Sequence, residues 1–193
     1  MDRLGTKELE SAALLLRRFT LEDAPAMTAN WAGDKDVTRF LTWQPHQSVK
    51  DSEDILRAWI SRYEEEDHYY NWAIVFKENG PEPIGSISVV QQNETVKMMD
   101  IGYCIGQKWW RRGITSAALK MVIDYLFETG RVNRIQARHD PRNSHSGQVM
   151  QKCGMRYEGT LRQADWNNLG VCDIAVYAIL AADHYAAAGQ AHG

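Results

Sequence analysis

The sequence predicts an α+β fold (mixed α/β) in which a mostly antiparallel sheet is flanked by helices. Two stretches near the N-terminus show helical spacing of apolar residues, three strand-like stretches follow in the middle, and helices then alternate with strands. The chain has 193 residues and no repeat or linker that divides it. We therefore expect a single domain over residues 1–193, with a core at about 14–182, a short N-terminal extension and a frayed tail from Ala186 to Gly193.

The first strand and the two early helices are predicted from local patterns. LLLRRF at 14–19 is typical of a strand. Thr20 is predicted to be a helix N-cap, because acidic residues follow it in the first helical turn. A helix is expected from Ala24 to Trp31. A second helix opening at Ser52 is predicted because apolar residues recur at helical spacing from Ile55 to Tyr63.

The middle of the chain consists of predicted strands, and in the second half helices alternate with strands. Strands over 71–76 and 84–90 flank a turn with Asn79 and Gly80, which predicts a hairpin, and a third antiparallel strand follows at Met98 to Ile105. Two helices are then expected to end at glycines, because glycine commonly follows the last helical turn. The remaining elements are helices over 116–129 and 144–153, and strands over 134–138, 157–162 and 173–180.

Composition and charge exclude several classes of protein. With 44% apolar residues and a net charge of -3, the chain is an ordinary globular protein and not a non-specific nucleic-acid binder. Nowhere do 18 apolar residues run together, so no membrane partner is expected. The cysteines Cys104, Cys153 and Cys172 form no metal-ligand pattern. We expect a cytoplasmic protein that holds no metal, and a homodimer is left open.

The segment WWRRGITS, residues 109–116, lies directly between a strand and a strongly apolar helix. A helix N-terminus presents unpaired backbone N–H groups and the positive end of the helix dipole, so it can hold a phosphate. Gly113 lets an anion approach the backbone, Arg111 and Arg112 add positive charge, and Thr115 and Ser116 add hydroxyl donors. The segment therefore suits a pyrophosphate, although taken alone it also fits a plain helix start with two solvated arginines.

Five further segments accompany this loop: LLLRRFTLEDA from residue 14, IGSISV from 84, DIGYCIG from 100, NSHSGQVMQKCGM from 143 and EGTLRQA from 158. Together they resemble the GCN5-related N-acetyltransferase (GNAT) superfamily, and more narrowly its Rim-type branch, which acetylates N-termini of ribosomal proteins. The resemblance covers about residues 14–180. The chain departs from the family pattern at Trp110, Arg111, Thr115, Ala117 and Met155, which weakens detailed expectations of loop geometry.

The resemblance implies a splayed sheet whose fourth and fifth strands part, with acetyl-CoA as co-substrate in the gap. It implies that backbone groups of the fourth strand pair with the pantetheine arm, that the loop receives the pyrophosphate, and that a helix after the gap supplies Asn143 and Ser146. The implied cofactor-binding residues are Tyr103, Cys104, Ile105, Arg111, Arg112, Gly113, Ile114, Thr115, Ser116, Asn143 and Ser146.

Acetyl transfer needs a neutral amine, because an ammonium group has no lone pair. The resemblance makes Asp165 the first candidate for the base and Asp100 the second, although each could also be an ordinary solvated or capping carboxylate. Ser146 is expected to supply a proton to the departing thiolate. The family's layout places the acceptor cleft beside the early helices, with Trp43, His46 and Tyr70 at its border.

The predicted function is N-acetyl transfer from acetyl-CoA to a primary amine by direct attack on the thioester. The acceptor is a protein N-terminal alpha-amine or a small-molecule amine, and the sequence does not choose between them. The alternative is a catalytically inactive CoA-binding sensor or interaction module, which the altered loop at Arg111 and Ala117 keeps open.

Overall fold

The computed structural model describes residues 5–129 and 131–190. Within these residues eight strands form one mixed, mostly antiparallel sheet in the order β1-β2-β3-β4-β5-β6-β8-β7. The strands are β1 Leu9–Glu10, β2 Leu14–Arg17, β3 Asn71–Phe76, β4 Pro83–Asn93, β5 Met98–Ile105, β6 Arg134–His139, β7 Arg156–Asn167 and β8 Gly170–Leu180. The predicted fold class is confirmed, and β3 and β5 have the predicted bounds.

Six α-helices accompany the sheet within the described ranges. They are α1 Ala24–Met27, α2 Lys35–Thr38, α3 Val49–Glu65, α4 Ile114–Glu128, α5 Ser144–Lys152 and α6 Ala181–Gln190, and α1 continues into a π-helical turn, Thr28–Ala32. Short 3-10 turns lie at Leu21–Asp23, Lys77–Asn79 and Gln107–Trp109. These helices lie on both faces of the sheet, with α4 on one face and α1 and α3 on the other.

The alternation of side chains along β3 separates two apolar cores. Trp72 and Ile74 belong to the core that packs against α4, whereas Ala73, between them, belongs to the core beneath α1 and α3. All six residues of β3 are buried, as expected for a strand covered on both faces.

The sheet opens between β5 and β6. The two strands run parallel and pair only from Met98 with Arg134 to Asp100 with Gln136. Beyond Asp100, β5 continues to Ile105 beside β4 alone. The splay expected from the family resemblance is therefore present, and it exposes one edge of β5 over its last five residues.

Several boundaries differ from the sequence prediction: β4 extends over Pro83–Asn93, α4 begins at Ile114, and β2 ends at Arg17. Helix α3 begins at Val49, because Ser48 and Asp51 form a reciprocal capping box and Ser52 lies inside the helix with its side chain buried. The last two strands extend beyond 157–162 and 173–180, since they form a long hairpin with two irregularities. Helix α6 continues to Gln190, where a frayed tail was predicted. Residues 191–193 of that predicted tail, and residues 1–4 of the N-terminal extension, lie outside the described residues.

Candidate active site

The loop before α4 forms a cradle of backbone amides. Arg111 and Gly113 both have positive φ, 62° and 76°. The first amide of α4 with an intrahelical bond is that of Ala117, which donates to the Gly113 carbonyl at 3.0 Å. The four preceding N–H groups, from Gly113 to Ser116, therefore have no partner from the helix itself. A Cβ atom on Gly113 would meet nothing within 4 Å, so the space in front of these amides is open.

A cavity of about 580 Å³ lies in front of this cradle. Positive side chains predominate among its charged residues. The cavity is lined by Arg39, Arg111, Arg142 and Lys152, and by one acidic residue, Asp36. The buried indole N–H of Trp109, also on its wall, has no hydrogen-bond partner among the described residues. Unpaired amides, cations and one unsatisfied buried donor fit the diphosphate of acetyl-CoA.

Along the open edge of β5, only alternate residues direct their backbone N–H and C=O groups into the gap. The Gly106 N–H donates to the Ile84 carbonyl of β4 at 2.9 Å. Because backbone direction alternates in an antiparallel ladder, Cys104 also faces β4, whereas Tyr103 and Ile105 face the gap. The Ile105 carbonyl there accepts the Trp110 indole N–H at 2.8 Å. The expectation that the Cys104 backbone meets the pantetheine arm is therefore wrong; its side chain lines the cavity.

Helix α5 places two expected residues on the same cavity. Asn143 is the N-cap residue, but its side chain does not cap the helix, and it lines the cavity. The Ser146 hydroxyl lies 3.0 Å from the Tyr103 phenol, which also lies 3.0 Å from the Ser146 carbonyl. Burial raises the pKa of Tyr103, so the phenol keeps its proton at any physiological pH.

A second cavity, of about 590 Å³, lies on the other side of this pair. Both cavities are lined by Phe40, Leu41, Tyr103 and Cys104, so they share one wall. Trp43 and His46 lie on the second cavity, where the sequence analysis placed the acceptor. Tyr103 therefore lines both cavities, and its partner Ser146 lines the first.

Three charged side chains form a chain along the second cavity. Asp100 is 1% exposed, accepts the Gln136 amide at 3.0 Å and pairs with the Arg138 Nε atom at 2.7 Å. Asp165 lies 3.8 Å from the other side of the Arg138 guanidinium and accepts the Trp166 N–H at 2.8 Å. Burial raises the pKa of Asp100, while Gln136 and Arg138 act in the opposite direction. The two candidate bases are therefore joined through one arginine.

Two expected side chains lie elsewhere. Tyr70 is 2% exposed and packs on Trp72 in the α4 core, so its placement at the acceptor cleft is wrong; its neighbour Tyr69, on the opposite face of the chain, lines the cavity. The Arg112 guanidinium lies 3.4 Å from Glu78 and stacks on Phe76, so it does not line the first cavity. Side chains alternate between the two faces along β3. Extending this alternation back to residues 69 and 70 would have placed Tyr69 and Tyr70 on opposite faces.

Other residues of the site were missed by the sequence analysis. Arg138 and Arg142 line the second and first cavities, and both carry acidic partners. Arg142 is one residue from Asn143, but its pairing with Asp140 depends on a local turn that the motif does not reveal. Nothing in the sequence near Arg138 distinguishes it from an ordinary strand arginine.

Among the described residues, no three or more His, Cys, Asp or Glu side chains are grouped so as to hold a metal ion. The same residues contain no helix that is both long and apolar enough to cross a bilayer. The three cysteines form no disulfide.

Comparison with known proteins identifies the family. Residues 13–156 match the acetyltransferase (GNAT) domain. The uncharacterised N-acetyltransferase YoaA of Bacillus subtilis is 30% identical over 172 residues, which cover 89% of this chain and 96% of that protein. The ribosomal-protein-serine acetyltransferase of Escherichia coli is 32% identical over 110 residues, 57% of this chain and 60% of that enzyme.

The fold is shared with solved members of the family. A crystal structure of RimL, a ribosomal alpha-N-protein acetyltransferase in complex with coenzyme A, superposes with a TM-score of 0.79 at 21% identity, covering 90% of this chain and 98% of that one. At 21% identity, the structural similarity supports a shared fold and nothing more specific. The chain belongs to the GNAT acetyltransferase family, and it is an acyl-CoA-dependent N-acetyltransferase whose co-substrate is acetyl-CoA.

Proposed function

We propose that this enzyme transfers the acetyl group of acetyl-CoA to a primary amine by direct attack of the amine on the thioester. The amine belongs to a protein N-terminus or to a small molecule. The supporting observation is the shared wall: the cationic cavity at the α4 cradle and the second cavity meet at Tyr103, beside the Ser146 hydroxyl. Two reactants held in adjacent volumes react as if they were one molecule.

On the co-substrate side, we assign the pyrophosphate to the amides of Gly113, Ile114, Thr115 and Ser116. Arg111 lines the same cavity and would add charge. The backbone of Tyr103 at the open β5 edge and the free Asn143 side chain would hold the pantetheine arm. These contacts would direct the thioester toward the shared wall.

On the acceptor side, we assign Asp165 as the base that receives the ammonium proton, directly or through water. Its nearest cation is 3.8 Å away, and its side chain is 29% exposed. Asp100 is 1% exposed and bonded on both sides, to Gln136 and Arg138, so an incoming amine reaches its oxygens less readily than those of Asp165. We assign Asp100 the role of fixing Arg138 and, through it, Asp165.

The thiolate that leaves needs a proton, and Ser146 is placed to give it. The Tyr103 phenol can donate to the Ser146 carbonyl or hydroxyl, both at 3.0 Å. When it donates to the hydroxyl oxygen, the Ser146 proton is directed elsewhere, and the serine oxygen regains a proton from solvent after transfer. The Tyr103 phenol stays neutral and keeps its hydrogen bond throughout, in agreement with its raised pKa.

The experiment that tests this function has two parts. Titration calorimetry with acetyl-CoA measures binding at the cradle, and a thiol-trapping assay measures release of free CoA with a panel of primary amines. Binding together with amine-dependent release is expected. Binding without release for any amine would contradict the proposal and favour a CoA-binding module. The expected cytoplasmic location stays a prediction.

A further inference from the structure

We propose that the acceptor is a primary amine on an apolar or aromatic body that carries no acid group. This inference rests on the proposed function and specifies its substrate class. Three features of the second cavity support it: an aromatic wall, arginines that already have carboxylate partners, and side-chain groups that can accept a hydrogen bond from an amine.

The wall of the second cavity is dominated by large rings. Trp31, Trp43, Trp59, Tyr69 and Trp166 all line it. Aromatic and aliphatic walls bind the non-reacting part of a ligand by burial of apolar area, and their rings suit a flat or bulky apolar group. A strongly hydrated acceptor, such as a sugar or a nucleotide, would lose its water here without replacement.

The cations of this cavity already have anionic partners. Arg62 donates to both carboxylate oxygens of Glu66, at 2.6 and 3.0 Å, and stacks 4.0 Å above the Tyr69 ring. Arg138 lies between Asp100 and Asp165. No lysine occurs among the described residues that line the cavity. The Arg62–Glu66 pair is exposed, but Arg138 is held by the buried Asp100. A carboxylate or phosphate that took Arg138 would leave the Asp100 charge buried and unpaired, which is costly.

Asn71 supplies one uncommitted acceptor. This residue is 2% exposed, lies on the cavity wall, and donates its amide to the Tyr69 hydroxyl at 3.0 Å. Its Oδ1 atom is buried and has no partner among the described residues. A buried carbonyl oxygen without a partner is rare, and an N–H group of the acceptor would satisfy it once the Asn71 side chain turns toward the cavity.

His46 supplies a second acceptor, whose state is set by a chain of hydroxyl groups. The Thr28 hydroxyl donates its one proton to the Ala24 carbonyl at 3.0 Å. The buried Ser52 hydroxyl lies 2.7 Å from the Thr28 oxygen and 2.7 Å from His46 Nδ1, so it donates to Thr28 and must accept from His46. The proton of a neutral His46 ring is thus fixed on Nδ1, which leaves Nε2 as an acceptor. Burial lowers the pKa of His46, so the ring is neutral at pH 7.

One donor at the wall is the indole N–H of Trp31, which is buried and has no partner among the described residues. It could satisfy a single oxygen of the acceptor, such as an amide carbonyl or a hydroxyl. The groups that suit N–H donors include Asn71 Oδ1, His46 Nε2 and the Asp165 carboxylate. An ammonium or amine group matches them. A polyamine would bring further charges for which this cavity has no additional free carboxylate.

The test compares amines that differ in the charged groups they carry. The thiol-trapping assay is run with acetyl-CoA and phenethylamine, phenylalaninamide, phenylalanine or spermidine. We expect kcat/KM for phenethylamine and phenylalaninamide to exceed that for phenylalanine and for spermidine by at least about 100-fold, because a buried unpaired charge is rejected strongly. Equal or greater rates with phenylalanine or spermidine would overturn this inference while leaving N-acetyl transfer intact. Thiol release with no amine at all would overturn both.

A charge introduced at the cavity rim tests where the acceptor lies. Ile55 lines the cavity from α3 and is 39% exposed, so a long polar side chain is tolerated there. With Ile55→Lys we expect the ratio of kcat/KM for phenylalanine to that for phenethylamine to rise about tenfold, whereas Ile55→Gln, of similar length but uncharged, leaves the ratio unchanged. An unchanged ratio in the lysine variant, or an equal rise in both variants, would contradict binding of the acceptor in this cavity.

Discussion

The Tyr103 phenol and the Ser146 hydroxyl lie 3.0 Å apart, at the wall that separates the two cavities. Tyr103 comes from the open edge of β5 and Ser146 from the first turn of α5. The pair therefore spans the splay of the sheet and brings a proton donor to the place where the two reactants would meet.

Removal of the Ser146 hydroxyl should slow the chemical step. In Ser146→Ala we expect kcat to fall about 100-fold, because proton donation to a leaving group contributes on that order. The KM for acetyl-CoA should change by less than about threefold. Steady-state kinetics check this, and Ser144→Ala, two residues earlier in the same helix, serves as the control. A rise in KM with kcat preserved would indicate a binding role instead.

Gly113→Asp should abolish the anion cradle without unfolding the protein. Aspartate tolerates positive φ better than most residues, and nothing crowds a Cβ here, but its carboxylate would face the pyrophosphate. We expect the Kd for acetyl-CoA to rise at least about 100-fold in calorimetry, with much less change in Gly113→Asn, which has the same shape and no charge. Equal losses in the two variants would mean that shape, not charge, is responsible.

The role of Asp165 should depend on pH. In Asp165→Asn we expect kcat/KM to fall at least about tenfold at pH 7 and by much less at pH 9, because free amines with pKa values of about 8 to 10 deprotonate increasingly without help. Rates from pH 6.5 to 9.5 test this. Asp54→Asn, in an exposed ion pair with Lys50, gives the background. A loss that is constant over this range would remove Asp165 as the base.

Asp140 should matter for stability. Its buried carboxylate accepts the Arg142 backbone N–H at 2.9 Å and the Asn167 amide at 2.8 Å, and the Arg142 guanidinium is the main cause that lowers its pKa from 3.8 to about 2. A lowered pKa stabilises the folded state above the unfolded value, and that stabilisation disappears as pH falls from about 4 to 2. Asp140→Asn should lower the free energy of unfolding at pH 7 by about 1–3 kcal/mol.

Urea unfolding of this variant and of the parent at pH 7, 4 and 3 provides the measurement. The difference between the two proteins should shrink as the pH falls, because the parent loses the contribution of Asp140 and the variant has none to lose. A difference that stays constant with pH would contradict the assigned ionisation.

The tautomer of His46 can be observed directly. Long-range proton–nitrogen NMR spectra should show the His46 proton on Nδ1, with Nε2 unprotonated at pH 7. Ser52→Ala removes the acceptor for that proton, so we expect exchange between tautomers and a loss of about 3–10-fold in kcat/KM for phenethylamine. His68, which is exposed, provides the reference signal. A proton on Nε2 in the unaltered protein would refute the hydroxyl relay.

The sequence predicted the central features of the fold and of the co-substrate cavity because both depend on local order along the chain. Periodicity places β3 and β5 at their observed bounds, and the cradle consists of consecutive residues, Gly113 to Ser116. Such features can be predicted from one continuous segment of the sequence and the residues next to it.

The acceptor cavity was much less predictable, because it is built from contacts between distant segments. Arg138 meets Asp165 only through the pairing of β6, β8 and β7, and Ser52 meets Thr28 only when α3 packs on α1. Tyr69 and Tyr70 differ solely in which face of the sheet they reach. No pattern within a single segment contains this information.

The common wall at Tyr103 and Cys104 has a kinetic consequence. Because the two cavities are distinct volumes that share this wall, donor and acceptor can be bound at the same time, which predicts intersecting double-reciprocal plots and no stable acetylated form of the protein. A conjugate that joins phenethylamine to the sulfur of coenzyme A through a two-carbon bridge would occupy both volumes at once. Such a bisubstrate compound should inhibit competitively against either reactant and bind far more tightly than either alone.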